Sequence, residues 1–410
     1  MTDILFTNLA LLDVDAGALR SGHQVLVGGE LIKEVSDGAI SAPGARVVDL
    51  GGRTLMPGLI DCHVHVCADG MTAYPTIFPA MLAAKAAKIL RETLMRGFTT
   101  IRDAGGADMG YRQAIEAGLF EGPRLFVAGR PISQTGGHMD MRGQADFCVA
   151  CACTQESTMR SIADGVDAVR KAVREEIRRG ADHVKVMASG GVSSPADPID
   201  YVQYSMPELE AVVDEARRAG KYVMAHAYTA EAIARAVAAG VRTIEHGNFL
   251  DEDTAREMAR RGAFLVPTLI VYRRIVAHGK EIGVSDLHLE KARQVLAVGT
   301  RSLEIARRAG VKMAFGTDLF RAPKEHQCEE FLVRAEVLSP AEIIRSATVV
   351  GAEVVRMDGR LGRVAAGHLA DLLVVDGDPL ADLRLLQDQG AHLSLIMKGG
   401  VAAKDRLGPA

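Results

Sequence analysis

Residues 207–228 read PELEAVVDEARRAGKYVMAHAY. Apolar residues at three- and four-residue spacing, with charges between them, predict a helix over 207–219. Gly220 ends it, because glycine alone caps a helix in the left-handed conformation without a Cβ penalty. The apolar run that follows predicts a buried strand. The same unit recurs: AAKAAKILRETLMR (83–96) leads into GFTTIRDAG, and DAVRKAVREEIRR (167–179) into GADHVKVMASG. AEAIARAVAA (230–239) leads into GVRTIEHG, DEDTAREMARR (251–261) into GAFLVPTL, and RSLEIARRA (301–309) into GVKMAFGTD. GPRLFVAG, from Gly122, and LMPGLIDCHVHV (55–66) complete eight strands.

Strands that alternate with helices imply parallel pairing and right-handed crossovers. Eight such units predict an α/β fold, a (β/α)8 TIM barrel. The alternative, an open doubly wound sheet, would carry a Gly-rich phosphate loop, and GGADMG (105–110) lacks the G-x-G-x-x-G register. The chain ends read differently. Residues 1–55 and 360–410 hold short alternating strands punctuated by GG and DG turns. They are expected to pair into one small β-sandwich domain, with the barrel over 56–359.

Composition narrows the function. The 410 residues are 48% hydrophobic, ample for a large core, and the net charge is −4, so no basic footprint for nucleic acid is present. No run reaches the about 18 apolar residues of a membrane span, and the N-terminus lacks the pattern of a secretory signal. Six cysteines, three of them in CVACAC and the rest scattered, do not form a disulfide framework, which points to a reducing cytoplasm. Cys148 and Cys151 in CVACAC have zinc-like spacing but no second pair, so they and Cys153 are read as thiols. The 42 glycines exceed the usual share of about 7%, and much of the excess falls on the helix-to-strand junctions.

In a barrel, reactive groups gather at the C-terminal ends of the strands. His63 and His65 end the first strand, and positions i and i+2 face the same way. Lys185 lies on the fourth strand, His226 ends the fifth, His246 the sixth and Asp318 the eighth. Each alone has an ordinary reading as a packed or capping residue. Five strand ends with ligand-type residues on one rim point to a metal centre. His183, two residues before Lys185, is read as a core histidine one layer deeper. His326 follows the eighth strand and lies within reach of the mouth, and Arg142, Arg273, Arg274 and Arg321 are read as solvated loop residues.

PGLIDCHVHV, HVKVMASGG, MAHAYT, IEHGN and FGTD resemble the motif set of the amidohydrolase superfamily. The tail SATVVGAEVVRMDGRLGRVAAGHLADLLVVDGDPL (346–380) resembles its C-terminal signature. The resemblance is nearest to the binuclear dipeptidase and carboxypeptidase branch, described as Xaa-Pro dipeptidase or imidazolonepropionase-like. It implies two divalent metal ions, zinc by default, joined by a CO2-derived carbamate on Lys185. His63, His65 and Asp318 would hold the more buried ion, and His226 and His246 the more exposed one. It further implies hydrolysis of an amide in a dipeptide or N-acyl amino acid by a metal-bridging hydroxide, with Asp318 as proton shuttle. His138 in SQTGGHMDMRG would stabilise the oxyanion, and Tyr228 in MAHAYT would hold a substrate carboxylate. Family members are commonly homo-oligomers. The alternatives are a cyclic-amide hydrolase or deaminase of imidazolonepropionase type, an amide-cleaving xenobiotic hydrolase such as an ochratoxin amidohydrolase, and a non-catalytic scaffold.

Overall fold

The computed structural model describes residues 2–68, 77–142, 160–194, 197–281, 283–319 and 324–407. Cys148, Cys151, Cys153 and Arg321 lie outside them. The chain opens with β1 (Ile4–Asp13), β2 (Ala18–Gly28), β3 (Leu31–Ser36), β4 (Arg46–Asp49) and β5 (Thr54–Pro57). It closes with β15 (Leu372–Val375), β16 (Leu393–Lys398) and β17 (Val401–Asp405). These strands form one eight-stranded sheet in the order β17-β16-β15-β5-β1-β2-β3, with β4 also on β1. The two ends of the chain meet where β5 pairs antiparallel with β15, Leu55 opposite Val374. Phe6, Val25, Leu55, Leu372 and Met397 fill that sheet's core.

Between the two ends lie β6 (Leu59–Val64), β7 (Phe98–Asp103), β8 (Arg124–Phe126), β9 (Ile132–Ser133), β10 (Ser161–Ile162), β11 (Val184–Met187), β12 (Val223–Thr229), β13 (Thr243–Phe249) and β14 (Phe264–Val266). They make two parallel sheets, β6-β7-β8 and β10-β9-β11-β12-β13-β14. Segment 312–318, read from sequence as the eighth strand, holds only a single parallel bridge, Met313 to Leu265. It nevertheless links the sheets. Ala314 donates to Leu265 at 2.9 Å on one side, while Cys62 donates to Phe315 and Asp318 to His63, both at 2.8 Å, on the other. At the end of the segment Asp318 takes φ +53°, a left-handed conformation. Asp182, just before β11, donates to the carbonyl of Val127, just after β8, at 2.8 Å and makes a second link between the sheets.

The helices follow their local signals. Met206–Arg218 starts at a Ser205–Glu208 capping box with Pro207 in its first turn, and buries Leu209, Val212 and Ala216. The helix ending in RSLEIARRA runs from Asp286 to Ala309, well upstream of the stretch that predicted it. Among the junction glycines, Gly97, Gly180, Gly220, Gly240, Gly262 and Gly310 have positive φ. Gly122 does not; a Cβ there would sit 2.9 Å from that of Leu90, so close packing accounts for it. No helix among the described residues is long and apolar enough to cross a membrane.

Gly97 joins the helix Pro79–Met95 to β7 with φ +94°, and a Cβ there would lie 2.9 Å from Leu393 and 3.1 Å from Leu373 of the terminal sheet. Gly97→Ala is expected to cost at least about 1 kcal/mol from the left-handed backbone alone. A lowered urea midpoint at unchanged slope measures this, and an unchanged midpoint contradicts it.

Candidate metal centre

The parallel strands deliver buried polar groups to one place. His63 on β6, His246 on β13 and Asp318 offer ligand atoms that all lie within 4.8 Å of one another. His63 Nε2 stands 3.5 Å and His65 Nε2 3.2 Å from Asp318 Oδ1. The ring centroids of His63 and His246 are 5.1 Å apart, and those of His226 and His246 4.6 Å. Lys185 is buried on β11, where its charge couples to His63 and Asp318. All six residues expected from sequence therefore sit at one end of the parallel strands.

What lies behind each ring decides which nitrogen faces forward. His63 Nδ1 meets the Glu245 carboxylate at 2.7 Å, and His65 Nδ1 meets the Gly105 carbonyl at 2.8 Å. Both partners accept only, so both Nδ1 atoms carry hydrogen and both Nε2 atoms turn to Asp318. His246 Nδ1 lies 2.8 Å from Thr268 Oγ1, which directs its Nε2 the same way. His226 is reversed. Its Nε2 donates to the Gly190 carbonyl at 3.1 Å and leaves Nδ1 for the site.

Burial drives the His63 and His226 imidazoles well below the ordinary value and His246 down to about 3, so all three are neutral. Burial would raise the Asp318 carboxyl, and the attraction it would feel from protonated His63, His65 and His246 turns the net shift downward. Asp318 Oδ1 is buried and receives no hydrogen bond. The unprotonated Nε2 of His63 and this carboxylate oxygen thus face each other lone pair to lone pair. A divalent cation is the group that reconciles such a donor set. The residues present fit a metal.

The backbone is strained at two of these positions. His246 takes φ +72° and Asp318 +53°, conformations that cost on the order of 1–3 kcal/mol in a residue other than glycine and cluster at functional sites. Gly191 is needed for space: a Cβ there would stand 2.3 Å from His138 Cε1 and 2.8 Å from His226 Nε2.

The remaining sequence candidates divide. The buried His138 stacks on His226 with centroids 4.1 Å apart, and its Nδ1 lies 2.9 Å from Ser194 Oγ and 3.5 Å from Asp197 Oδ2. Tyr228 stacks on His246 at 5.1 Å. His183 is buried, stacks on Tyr222 and reaches the Asp103 carbonyl at 3.1 Å, in keeping with a core role. His326 pairs with Glu329 at 2.7 Å. Arg142, Arg273 and Arg274 are not simply solvated, since each is ion-paired, with Asp140, Glu336 and Glu329.

Several residues of the site were missed from sequence. Asp61 accepts from the His63 amide at 3.0 Å, from Thr317 Oγ1 at 2.7 Å and from Gln327 Nε2 at 2.9 Å, which buckles β6 to the segment carrying Asp318. Arg102 holds Glu245 at 2.9 Å with both side chains fully buried. Asp103 accepts from Val66 and Gly105 and fixes the loop whose carbonyl orients His65. An acid beside or two residues before a histidine, as in DCH and EH, was the available signal. Thr268, which precedes the helix Leu269–His278, makes no cap there. The buried Glu330 accepts from the Ile270 amide at 2.8 Å instead and leaves the threonine hydroxyl to His246.

The amidohydrolase family model matches residues 54–402. The chain belongs to the amidohydrolase family. It is a hydrolase acting on C–N bonds, of a family that is generally metal-dependent, and acts on a small-molecule substrate. A solved amidohydrolase structure shares 49% identity with it, covering 99% of this chain and 100% of that one, with a TM-score of 0.96. A prolidase solved with N-methylphosphonate-L-proline shares 47% identity over 98% of this chain and 100% of that one, with a TM-score of 0.95. The ochratoxinase of Aspergillus niger is 32% identical over 84% of this chain and 75% of its own length.

Burial lowers the Lys185 amine to about 8, with Glu245 and Asp318 opposing the shift. The neutral amine therefore gains population as pH rises through that value, while His63, His226 and His246 are already neutral. Metal uptake by metal-free protein is expected to strengthen between about pH 6.5 and 8.5, further with added bicarbonate, and to lose both dependences in Lys185→Ala. Equilibrium dialysis with metal analysis checks this, and a flat profile in the unaltered protein would separate Lys185 from metal binding.

Proposed function

We propose that this amidohydrolase cleaves the amide bond of a dipeptide or N-acyl amino acid, as a Xaa-Pro dipeptidase or carboxypeptidase does. The observation that carries the reading is the convergence of neutral imidazoles and the uncompensated Asp318 oxygen around a buried lysine. The frame is a closed (β/α)8 barrel over 56–359 with a small β-sandwich domain from 1–55 and 360–410, acting in the cytoplasm as a homo-oligomer. His63, His65 and Asp318 would hold one divalent ion, and His226 and His246 a second. When bound, two such ions, zinc by the preference of imidazole and oxygen donors, supply an acidified water and a polarised substrate carbonyl.

The protein's own groups do the rest. The Lys185 nitrogen adds to CO2, forming an N–C bond and releasing one proton, which gives a carbamate oxygen set where an ammonium could not ligate. Asp318 takes a proton from the attacking water on its carboxylate and passes one to the departing nitrogen. His138, stacked on His226, offers the nitrogen away from Ser194 to the oxygen on which negative charge develops. The Tyr228 hydroxyl holds the carboxylate of the amino acid released. The likeness to ochratoxinase favours an amide-linked xenobiotic as the second reading.

The test is a library of dipeptides, N-acetyl amino acids, cyclic amides and amino-heteroaromatics offered to zinc-loaded protein. Release of free amino acid from the first two groups is expected; turnover confined to the last two would replace this reading with the cyclic-amide hydrolase or deaminase. Asp318→Asn is expected to lower kcat by about 100-fold or more without unfolding the chain, and near-normal turnover would remove the proton role.

A further inference from the structure

The helix Asp286–Ala309 meets the site through one buried cation that the hydrolysis as described does not use. Ser285 caps its start by accepting from the His288 amide, and Lys291 lies buried in its second turn. The Lys291 ammonium donates to three main-chain carbonyls, those of Gly191 at 3.0 Å, Ser194 at 3.3 Å and Asp197 at 2.6 Å. An ammonium has three hydrogens and no lone pair, so these bonds use it completely. Among the described residues no carboxylate pairs with it. A buried charge is costly unless it is hydrogen-bonded, so the ammonium and the three carbonyls hold one another in place. Three residues earlier on the same face of the helix, His288 Nε2 lies 3.2 Å from the Ser194 carbonyl.

Each of the three residues whose carbonyl Lys291 holds also lies against the His138 ring. A Cβ on Gly191 would stand 2.3 Å from His138 Cε1, Ser194 Oγ lies 2.9 Å from Nδ1, and Asp197 Oδ2 lies 3.5 Å from Nδ1. The face of the ring stacks on His226 with centroids 4.1 Å apart. The His138 amide donates to Gln203 Oε1 at 3.0 Å, and Gln203 Nε2 donates to Asp197 at 3.0 Å. The ring is therefore set by His226 on its face and by Gly191, Ser194 and Asp197 along its Nδ1–Cε1 edge. Nε2, on the far side from Ser194, takes its direction from that edge. We propose that Lys291 is a positioning residue for the amide hydrolysis: by gathering the carbonyls of Gly191, Ser194 and Asp197 on one ammonium, it seats the His138 ring and aims Nε2 at the oxygen of the scissile carbonyl. Lys291 has no hydrogen left for the substrate and acts through His138. The inference rests on the reading of His138 as the partner of that oxygen.

The test is a double-mutant cycle between Lys291→Met and His138→Ala on the fastest substrate of the library, with metal content and a crystal structure for each single variant. Methionine keeps the unbranched stem and removes the charge. Lys291→Met is expected to lower kcat by about 10- to 100-fold, the cost of an active-site group set about 1 Å out of place, with KM within about threefold. Metal content is expected to stay unchanged. In a His138→Ala background the same change is expected to lower kcat by no more than about twofold. The crystal structure is expected to show the His138 ring displaced on His226 while the helix Asp286–Ala309 stays in place. An unmoved ring, or an unchanged kcat where His138→Ala is impaired, overturns the inference only. Full multiplication of the two losses also overturns it, because Lys291 then acts through something other than His138. A loss of metal in Lys291→Met does the same and makes the residue a support for His226. If His138→Ala itself leaves kcat within about twofold, its assigned role at the oxyanion falls and takes this inference with it. Should Lys291→Met not fold, Lys291→Arg keeps the charge but spreads its donors over a planar fork. The same loss of kcat, erased by His138→Ala, is then required of it.

Discussion

The Glu245 carboxylate is the fixed point behind the site. It accepts from His63 Nδ1 at 2.7 Å and from Arg102 at 2.9 Å, and no part of it is exposed. Arg102 also donates to the Cys62 carbonyl at 2.6 Å and to Thr243 at 3.0 Å, so one guanidinium ties β6, β7 and β13 together inside the fold. An isolated buried charge is costly, whereas a paired and fully hydrogen-bonded one is tolerated. The pair sets the His63 ring, and with it the nitrogen that meets Asp318. The same logic repeats around the rim, where His65, His226 and His246 each have one nitrogen committed to a partner behind. Ring orientation is thereby settled before any ligand arrives, which is what preorganised catalysis requires.

The same architecture explains why strain can persist. His246 and Asp318 hold left-handed backbones because the surrounding contacts over-determine them. Asp318 is gripped through its amide by His63, and the Thr317 beside it by Asp61. Loop placement follows a similar plan. The buried Lys291 donates to the carbonyls of Gly191 and Asp197 at 3.0 and 2.6 Å, pinning the segment that carries the partners of His138.

Much of this was legible in the sequence. The helix–glycine–strand unit placed the parallel strands, because capping and hydrophobic periodicity are local properties. The ligand-type residues were found because they sit at strand ends, which the same ruler locates. The ladder at 312–318 was over-read, since an apolar run discloses an extended segment but not how many bridges it makes to its neighbours. The long helix Asp286–Ala309 was under-read, although its first half buries Leu289, Ala292 and Val295 at three-residue spacing. Arg102 escaped because its partner is distant in sequence; Arg102 and Glu245 are separated by 143 residues.

The sequence by itself determined the repeating unit, the strand ends and the residue types offered there, since these depend on neighbours a few positions away. Only the tertiary structure decided which nitrogen of each histidine faces the centre, that Asp318 Oδ1 is left without a donor, and that Thr268 serves His246 rather than its own helix. Those outcomes turn on hydrogen-bond partners brought from other strands, and directional interactions of about 3 Å are fixed only when the chain has folded.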